Sequence, residues 1–158
     1  MYNKTFAGGV HPEDGKALAR DLPFRACPPG EELIFPLNQH IGKPARPLVQ
    51  KGDLVLAGQL LAEADGFVSA NIASSVSGTV KAVENRRNVF GVPSLSIVIA
   101  NDGRDTLAPG VGAKVDPSDL TREEILSAIQ KAGVVGMGGA GFPTHVKLAP
   151  KDPDGIEF

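Results

Sequence analysis

Cysteine is almost absent from this sequence, since Cys27 is the one cysteine among 158 residues. A single cysteine excludes an internal disulfide, and it equally excludes an iron–sulfur cluster or a cysteine-rich zinc site built by this chain alone. Cys27 is followed by Pro28, Pro29 and Gly30, and no candidate base stands near it in the sequence. We therefore interpret Cys27 as a loop thiol and not as a nucleophile.

Aromatic residues, excess positive charge and long apolar runs are also scarce. Aromatic residues make up 5% of the chain and its formal net charge is −2, which argues against nucleic acid as a partner. The longest apolar runs, such as residues 96–100, are far shorter than the ~20 residues of a membrane-spanning helix. The first residues lack the apolar centre of a secretory signal. These absences predict a cytoplasmic chain with no direct membrane span, which reaches a membrane only through partners.

Histidines are few and scattered. His11, His40 and His145 have no acidic or cysteine partner at the spacing of metal ligands. We expect no metal site, and we interpret each histidine as a hydrogen-bonding residue of a loop.

Glycine, in contrast, is concentrated in residues 136–141, the glycine loop, which holds four glycines in six positions. Without Cβ atoms, such a backbone can turn several N–H groups toward one anion. Pro143 can begin a short helix after the loop, and Lys147 can reach back as a point charge. The pattern predicts a phosphate-binding loop. A flexible linker is the alternative, although linkers usually combine glycine with serine.

The glycine loop also satisfies G-x-G-x-x-G at Gly136, Gly138 and Gly141. That fingerprint of a dinucleotide-binding unit requires a preceding strand and an acidic residue ~20 positions later, and neither is present. No Lys-Ser or Lys-Thr pair follows, which excludes a nucleoside-triphosphate loop. The prediction is a phosphate site of another kind.

The 19 glycines and 13 prolines predict many tight turns. Residues 1–30 are interpreted as an irregular arm. Short apolar runs with turn signals between them then predict strands at residues 33–35, 47–49, 54–56, 59–62, 67–70, 78–83 and 95–100, with Arg86 and Arg87 at a hairpin tip. This pattern is typical of a mainly β domain, a small barrel or sandwich, over residues 31–103.

Residues 104–116 are interpreted as a linker, and a helix is predicted after it. Thr121 and Glu124 have the spacing of a capping box, and Ile125 and Ile129 lie on one apolar stripe. Gly133 stands where a left-handed C-terminal cap belongs. We expect the stripe to pack on a sheet supplied by sequence beyond this chain.

Residues 49–61 and 68–80 resemble the two halves of a biotinyl/lipoyl-type barrel-sandwich hybrid. In carrier domains of that family, the hairpin between the halves presents a lysine for modification. Here the corresponding residues 63–67 read EADGF and contain no lysine. The resemblance implies that the fold is retained as a docking or spacing domain without the carrier chemistry.

Residues 133–148, GVVGMGGAGFPTHVKL, resemble the flavin loop of the NADH-oxidising subunit of respiratory complex I and, more closely, the RnfC subunit of the Rnf electron-transport complex. Residues 5–12 and 34–42 resemble the opening of the same Rnf protein. The resemblance implies an FMN site to which this chain contributes part. The implied cofactor-binding residues are Gly136, Gly138, Gly139, Ala140, Gly141 and Lys147.

The resemblance further implies that residues 117–158 are the truncated start of an FMN- and NADH-binding α/β domain. The missing C-terminal part would carry that domain's remainder and 4Fe–4S clusters. The whole subunit would pass electrons between NADH and ferredoxin-type carriers on the inner face of the plasma membrane. Partner subunits of the membrane complex would couple this transfer to ion translocation.

Two functions stay open at this point. The chain is either the N-terminal portion of such an NAD-dependent oxidoreductase or a non-catalytic docking module with no cofactor of its own. In both cases we expect the fragment alone to be inactive and to bind FMN weakly or not at all.

Overall fold

The computed structural model describes residues 13–152, and within that range the fold is mainly β, as the sequence predicts. Residues 13–30 of the predicted arm form no strand or α-helix and are exposed throughout. His11, the 5–12 stretch and the last six residues lie outside the described residues. The strands are β1 (Glu32–Pro36), β2 (Arg46–Pro47), β3 (Leu54–Val55), β4 (Leu60–Glu63), β5 (Ile72–Ala73), β6 (Gly78–Arg87) and β7 (Pro93–Asn101). The α-helices are α1 (Arg122–Lys131) and α2 (Thr144–Lys147), and Pro117–Asp119 form a 3₁₀ turn.

Two antiparallel sheets enclose the core. One has the strand order β1-β7-β6-β3 and the other the order β2-β4-β5. Apolar side chains from both sheets meet between them, including Ile97 and Ile99 of β7 and Leu61 of β4, all fully buried. Burial of these side chains from both directions is the main force that holds the two sheets together.

Strands β6 and β7 form a ribbon that is longer than the sequence predicts. Their pairing continues from Gly78 opposite Asn101 to Arg87 opposite Pro93. The prediction that Arg86 and Arg87 form the hairpin tip is therefore wrong, because the tip is made by residues 88–92. The Arg86 guanidinium binds Glu84 and Glu32, which stabilises the charged end of the strand.

The predicted strand at residues 67–70 is also wrong. These residues follow Gly66, whose φ is +127°, and the Ser69 hydroxyl accepts a hydrogen bond from the Asp65 amide at 3.0 Å. The hydrogen bond to Ser69 closes a turn, and these residues do not pair with a neighbouring strand. The next strand along the chain is β5, which pairs with β4 and begins two residues after the predicted strand ends.

The first helix confirms its predicted ends. The Thr121 hydroxyl accepts from the Glu124 amide at 3.3 Å, and the Glu124 carboxylate accepts from the Thr121 amide at 2.8 Å, which completes the capping box. Gly133, just beyond the helix, has a φ of +68°. No residue of α1 is fully buried among the described residues, so its apolar stripe is only half covered.

The segment after β7 is tied back to the barrel. The Ala57 amide donates to Thr106 O at 2.9 Å, and the Ala108 amide donates to Ala57 O at 2.8 Å. The Thr106 amide donates to the Ser77 hydroxyl at 2.9 Å. The division into a barrel, a linker at 104–116 and a following domain stays a prediction, and the start of that linker lies on the barrel surface.

Asp102, which accepts a hydrogen bond from Ser77 beside these contacts, predicts that the stability of the fold depends on pH. The Ser77 hydroxyl, which donates to Asp102 Oδ1 at 2.7 Å, and the Arg104 amide hold the pKa of this carboxyl below its ordinary value of 3.8. A depressed folded-state pKa stabilises the fold above pH 3.8, and that contribution is lost as the pH falls through the folded-state pKa. We expect Asp102→Asn to lower the free energy of unfolding at neutral pH and the deficit to shrink in acid. Denaturant unfolding at several pH values checks this, and a deficit that is constant with pH contradicts it.

Candidate functional site

The glycine loop lies against the barrel and is held there by backbone contacts. The Ile41 amide donates to Ala140 O at 3.0 Å. Beside the loop, Asn71 Nδ2 donates to Lys131 O at 3.0 Å, and His145 Nε2 lies 3.2 Å from Phe67 O. These contacts hold the end of α1, the glycine loop and α2 on the barrel, so this part of the described chain is docked within the chain itself.

A cleft of about 830 Å³ opens between the glycine loop and the barrel. All six residues of the glycine loop line it. The facing wall comes from the loop at residues 38–44, from β1, and from the hairpin tip, which contributes Asn88, Val89 and Phe90. Its volume lies in the range of roughly 300–1,000 Å³ that is typical of small-molecule sites.

The surroundings of the glycines differ between Gly141 on the one hand and Gly138 and Gly139 on the other. At Gly141, whose φ is +55°, a Cβ would lie 2.8 Å from Gln39 O, so this glycine allows the loop to approach the barrel. At Gly138 and Gly139 a Cβ would meet no atom within 4 Å, and neither residue has a left-handed φ. Neither the backbone conformation nor the packing of the described residues therefore requires glycine at positions 138 and 139. The two positions leave space open beside the cleft.

The backbone amides at the centre of the loop are free to donate hydrogen bonds to a bound molecule. The Gly136 amide donates to Phe142 O and the Gly141 amide to Gly138 O, both at 2.9 Å. Within the part of the chain that the structure describes, no group accepts from the amides of the four residues between them, 137–140. Such a run of unused donors, free of side chains at two positions, is typical of an anion-binding loop.

Lys147 lies at the base of the loop and outside the cleft lining. A Cβ on Gly136 would lie 3.2 Å from Lys147 Nζ, and this nitrogen is 5.9 Å from the centre of the Phe142 ring. Pro143 is the residue before α2, not its first residue, and α2 has only four residues. A helix this short contributes little dipole. The positive charge that the structure places at the base of the loop is thus that of the Lys147 side chain.

The lining of the cleft holds no carboxylate and no lysine or arginine among the described residues. His40 is its one ionisable residue, and it is buried and engaged: the Ala70 amide donates to Nε2 at 3.1 Å, which leaves Nδ1 to donate to Ile41 O at 3.1 Å. His40 is a hydrogen-bonding loop residue, as predicted, whereas His145 lies in α2 and not in a loop. No carboxylate in the described lining of the cleft repels an anion here.

Other site types have no support in the described residues. Between residues 13 and 152 no three histidine, cysteine or acidic side chains converge as metal ligands, and Cys27 is exposed. Over the same range, neither helix has the length and apolar character needed to cross a bilayer.

The hairpin tip in the wall that faces the glycine loop is not among the site residues predicted from the sequence. Val89 and Phe90 stand in a turn and are largely exposed, at 93% and 78%. Apolar residues at a turn between two strands are unusual, because turns favour polar residues and glycine. The stretch Asn88-Val89-Phe90-Gly91 carried that signal.

The two curled sheets and the turn-rich short strands define a barrel-sandwich hybrid, followed by a helix and a docked glycine loop. The family model of the RnfC barrel sandwich hybrid domain matches residues 4–104. The chain belongs to this family, and both the fold class and the resemblance stated from the sequence are confirmed.

Similar proteins extend the match through the glycine loop. The chain is 45% identical over 147 residues to the RnfC protein of the proton-translocating ferredoxin:NAD(+) oxidoreductase complex of Clostridium ljungdahlii. It is 43% identical over 145 residues to the counterpart from the Na(+)-translocating complex of Acetobacterium woodii, and 43% identical over 146 residues to the one from the ion-translocating oxidoreductase complex of Rhodobacter capsulatus. These matches cover 93%, 92% and 91% of the chain but 32%, 33% and 28% of the relatives, so the chain spans about a third of their length.

Proposed function

We propose that this chain is the N-terminal portion of an RnfC subunit, and that the whole subunit transfers electrons between NADH and ferredoxin-type carriers. The names of the relatives support a place in an ion-translocating electron-transport complex. In this proposal, partner subunits couple electron transfer to ion translocation. The subunit lies on the cytoplasmic face of the plasma membrane and is held there by those partners.

The glycine loop holds the phosphate of FMN in this proposal. The observation that carries it is the pair Gly138 and Gly139, because neither their backbone conformation nor the described residues around them require glycine there. Four unused amides at residues 137–140 supply donors for phosphate oxygens, and the absence of carboxylates from the described lining of the cleft removes repulsion. Gly136, Ala140 and Gly141 complete the cradle. Lys147 contributes a positive charge from its base.

In this proposal, the role of this chain is to anchor FMN and to orient it. FMN, when bound, accepts hydride and passes on single electrons, which is chemistry that no side chain of the cleft can supply. The barrel fixes the glycine loop through the Ile41 amide and through Gly141, so the donors are positioned before the cofactor arrives. The nicotinamide site and the 4Fe–4S clusters belong to the remainder of the proposed subunit.

A comparison of two flavins tests the proposal in the full-length subunit. FMN and riboflavin share the ring and the ribityl chain and differ in the phosphate. If the loop holds the phosphate, we expect riboflavin to bind at least about tenfold more weakly than FMN, because charge-assisted hydrogen bonds to the phosphate are lost. Quenching of flavin fluorescence measures both dissociation constants. Equal affinities, or no binding of FMN at all, contradict the proposal.

The alternative function is a docking module without a cofactor. The exposed arm at residues 13–30 favours it, since Leu18, Leu22 and Phe24 are 91%, 68% and 109% exposed, and apolar side chains of this kind are typical of surfaces that pack on another protein. The same titration separates the two functions. A docking module predicts that the full-length subunit quenches neither flavin.

A further inference from the structure

The hairpin tip is a built structure with an apolar end. Asn88 organises it: its amide donates to Val92 O at 2.9 Å, and its side-chain oxygen accepts from the amides of Phe90 and Val92 at 3.0 and 3.1 Å. Arg87 Nη1 donates to Gly91 O at 2.8 Å. These bonds hold the backbone of the five tip residues at the end of the longest ribbon of the fold, and the backbone of Phe90 is fixed with them.

Phe90 is a large apolar side chain that the rest of the fold leaves uncovered. Its side chain is 78% exposed, and Val89 beside it is 93% exposed. Every other requirement of the turn is met by Asn88 and by Gly91, whose φ is +76°. The fold therefore gives no reason for an aromatic ring at position 90. Phe90 does, however, line the same cleft as the glycine loop.

The two walls of the cleft have complementary chemistry. The glycine loop presents bare backbone donors, which suit an anionic group, and the hairpin tip presents an aromatic and an aliphatic side chain, which suit an apolar surface. A molecule that satisfies both walls carries a phosphate at one end and a flat ring system at the other. Stacking of a planar heterocycle on an aromatic side chain is a strong and common contact of this kind.

We propose that Phe90 is a flavin-binding residue, which stacks against the ring system of the cofactor whose phosphate the glycine loop holds. The inference rests on the proposed function and deepens it by giving the barrel domain a direct part in the cofactor site. The hairpin is then a binding element and not merely a connection between β6 and β7.

Phe90 variants of the full-length subunit test the inference. We expect Phe90→Ala to weaken the binding of both FMN and riboflavin by about tenfold, because both contain the ring system that loses its stacking partner. The ratio of the two affinities should stay as in the wild type, since the phosphate contacts are intact. Phe90→Tyr should retain wild-type affinity, and Phe90→Leu should not.

Phe24→Ala is the matched control, because Phe24 is exposed but lies in the arm and does not line the cleft. It should bind both flavins as the wild type does. Thermal unfolding verifies that Phe90→Ala folds, as expected for a side chain that is 78% exposed.

The outcomes separate the two proposals. Unchanged flavin affinity in Phe90→Ala, with FMN still preferred over riboflavin, overturns the role of Phe90 and leaves the phosphate loop in place. A loss that Phe90→Leu restores as well as Phe90→Tyr overturns stacking in favour of simple apolar contact. A wild-type protein that binds no flavin overturns both proposals.

Discussion

Replacement of Gly139 by valine is expected to abolish retention of FMN by the full-length subunit while leaving the fold intact. A Cβ at this position meets nothing within 4 Å, and the backbone is not left-handed, so the chain itself tolerates the change. The added atoms project into the space that a phosphate would need. We expect the FMN dissociation constant to rise by at least about a hundredfold, or about 2.7 kcal/mol. Flavin content after gel filtration measures it.

Gly30→Val is the matched control for this substitution. Gly30 also lacks a left-handed φ, and a Cβ there makes only an ordinary contact, 3.8 Å from Glu32 O, away from the cleft. Both variants should melt within a few degrees of the wild type. Flavin content that is the same in Gly139→Val as in Gly30→Val refutes the assignment of the glycine loop.

Replacement of Gly133 by alanine is expected to detach the glycine loop from the barrel. A Cβ there would overlap the carbonyl oxygen of Asn71, which is backbone and cannot turn aside, and φ is +68°. The overlap should cost about 1–3 kcal/mol beyond the conformational strain. The Ile41 amide, which donates to Ala140 O, should then exchange its hydrogen with solvent at least about tenfold faster.

Gly112→Ala separates strain from overlap. Gly112 has a similar left-handed φ of +81°, but a Cβ there would meet nothing within 4 Å. This variant carries the conformational cost alone and should leave exchange at Ile41 unchanged. If hydrogen exchange, followed by NMR, is equally fast at Ile41 in both variants, the docking role of Gly133 is wrong.

Local signals predicted the parts of the fold that local chemistry determines. The capping box of Thr121 and Glu124 and the cap at Gly133 are satisfied within a few residues of chain, and the structure has both. The strand predicted at residues 67–70 failed because its hydrogen-bonding groups are used in a turn and in a contact with the side chain of His40. The Ala70 amide donates to His40, thirty residues away, and no pattern in the stretch itself reveals this bond.

The candidate site was half visible in the sequence. Repeated glycine identified the loop, but the sequence alone treats Gly139 and Gly141 as equivalent. Only the fold separates the glycine that makes room for Gln39 from the one that faces open space. The opposite wall showed in the sequence only as apolar residues at a turn. That Phe90 lines the same cleft as the glycine loop depends on the length of the β6–β7 ribbon and on the docking of the loop.

A structure of the full-length subunit with FMN would show directly whether the glycine loop holds the phosphate. We expect the phosphate oxygens to lie within hydrogen-bonding distance of amides in residues 137–140, over Gly138 and Gly139. A cofactor whose phosphate is held elsewhere, with the glycine loop facing solvent or another protein chain, contradicts the assignment.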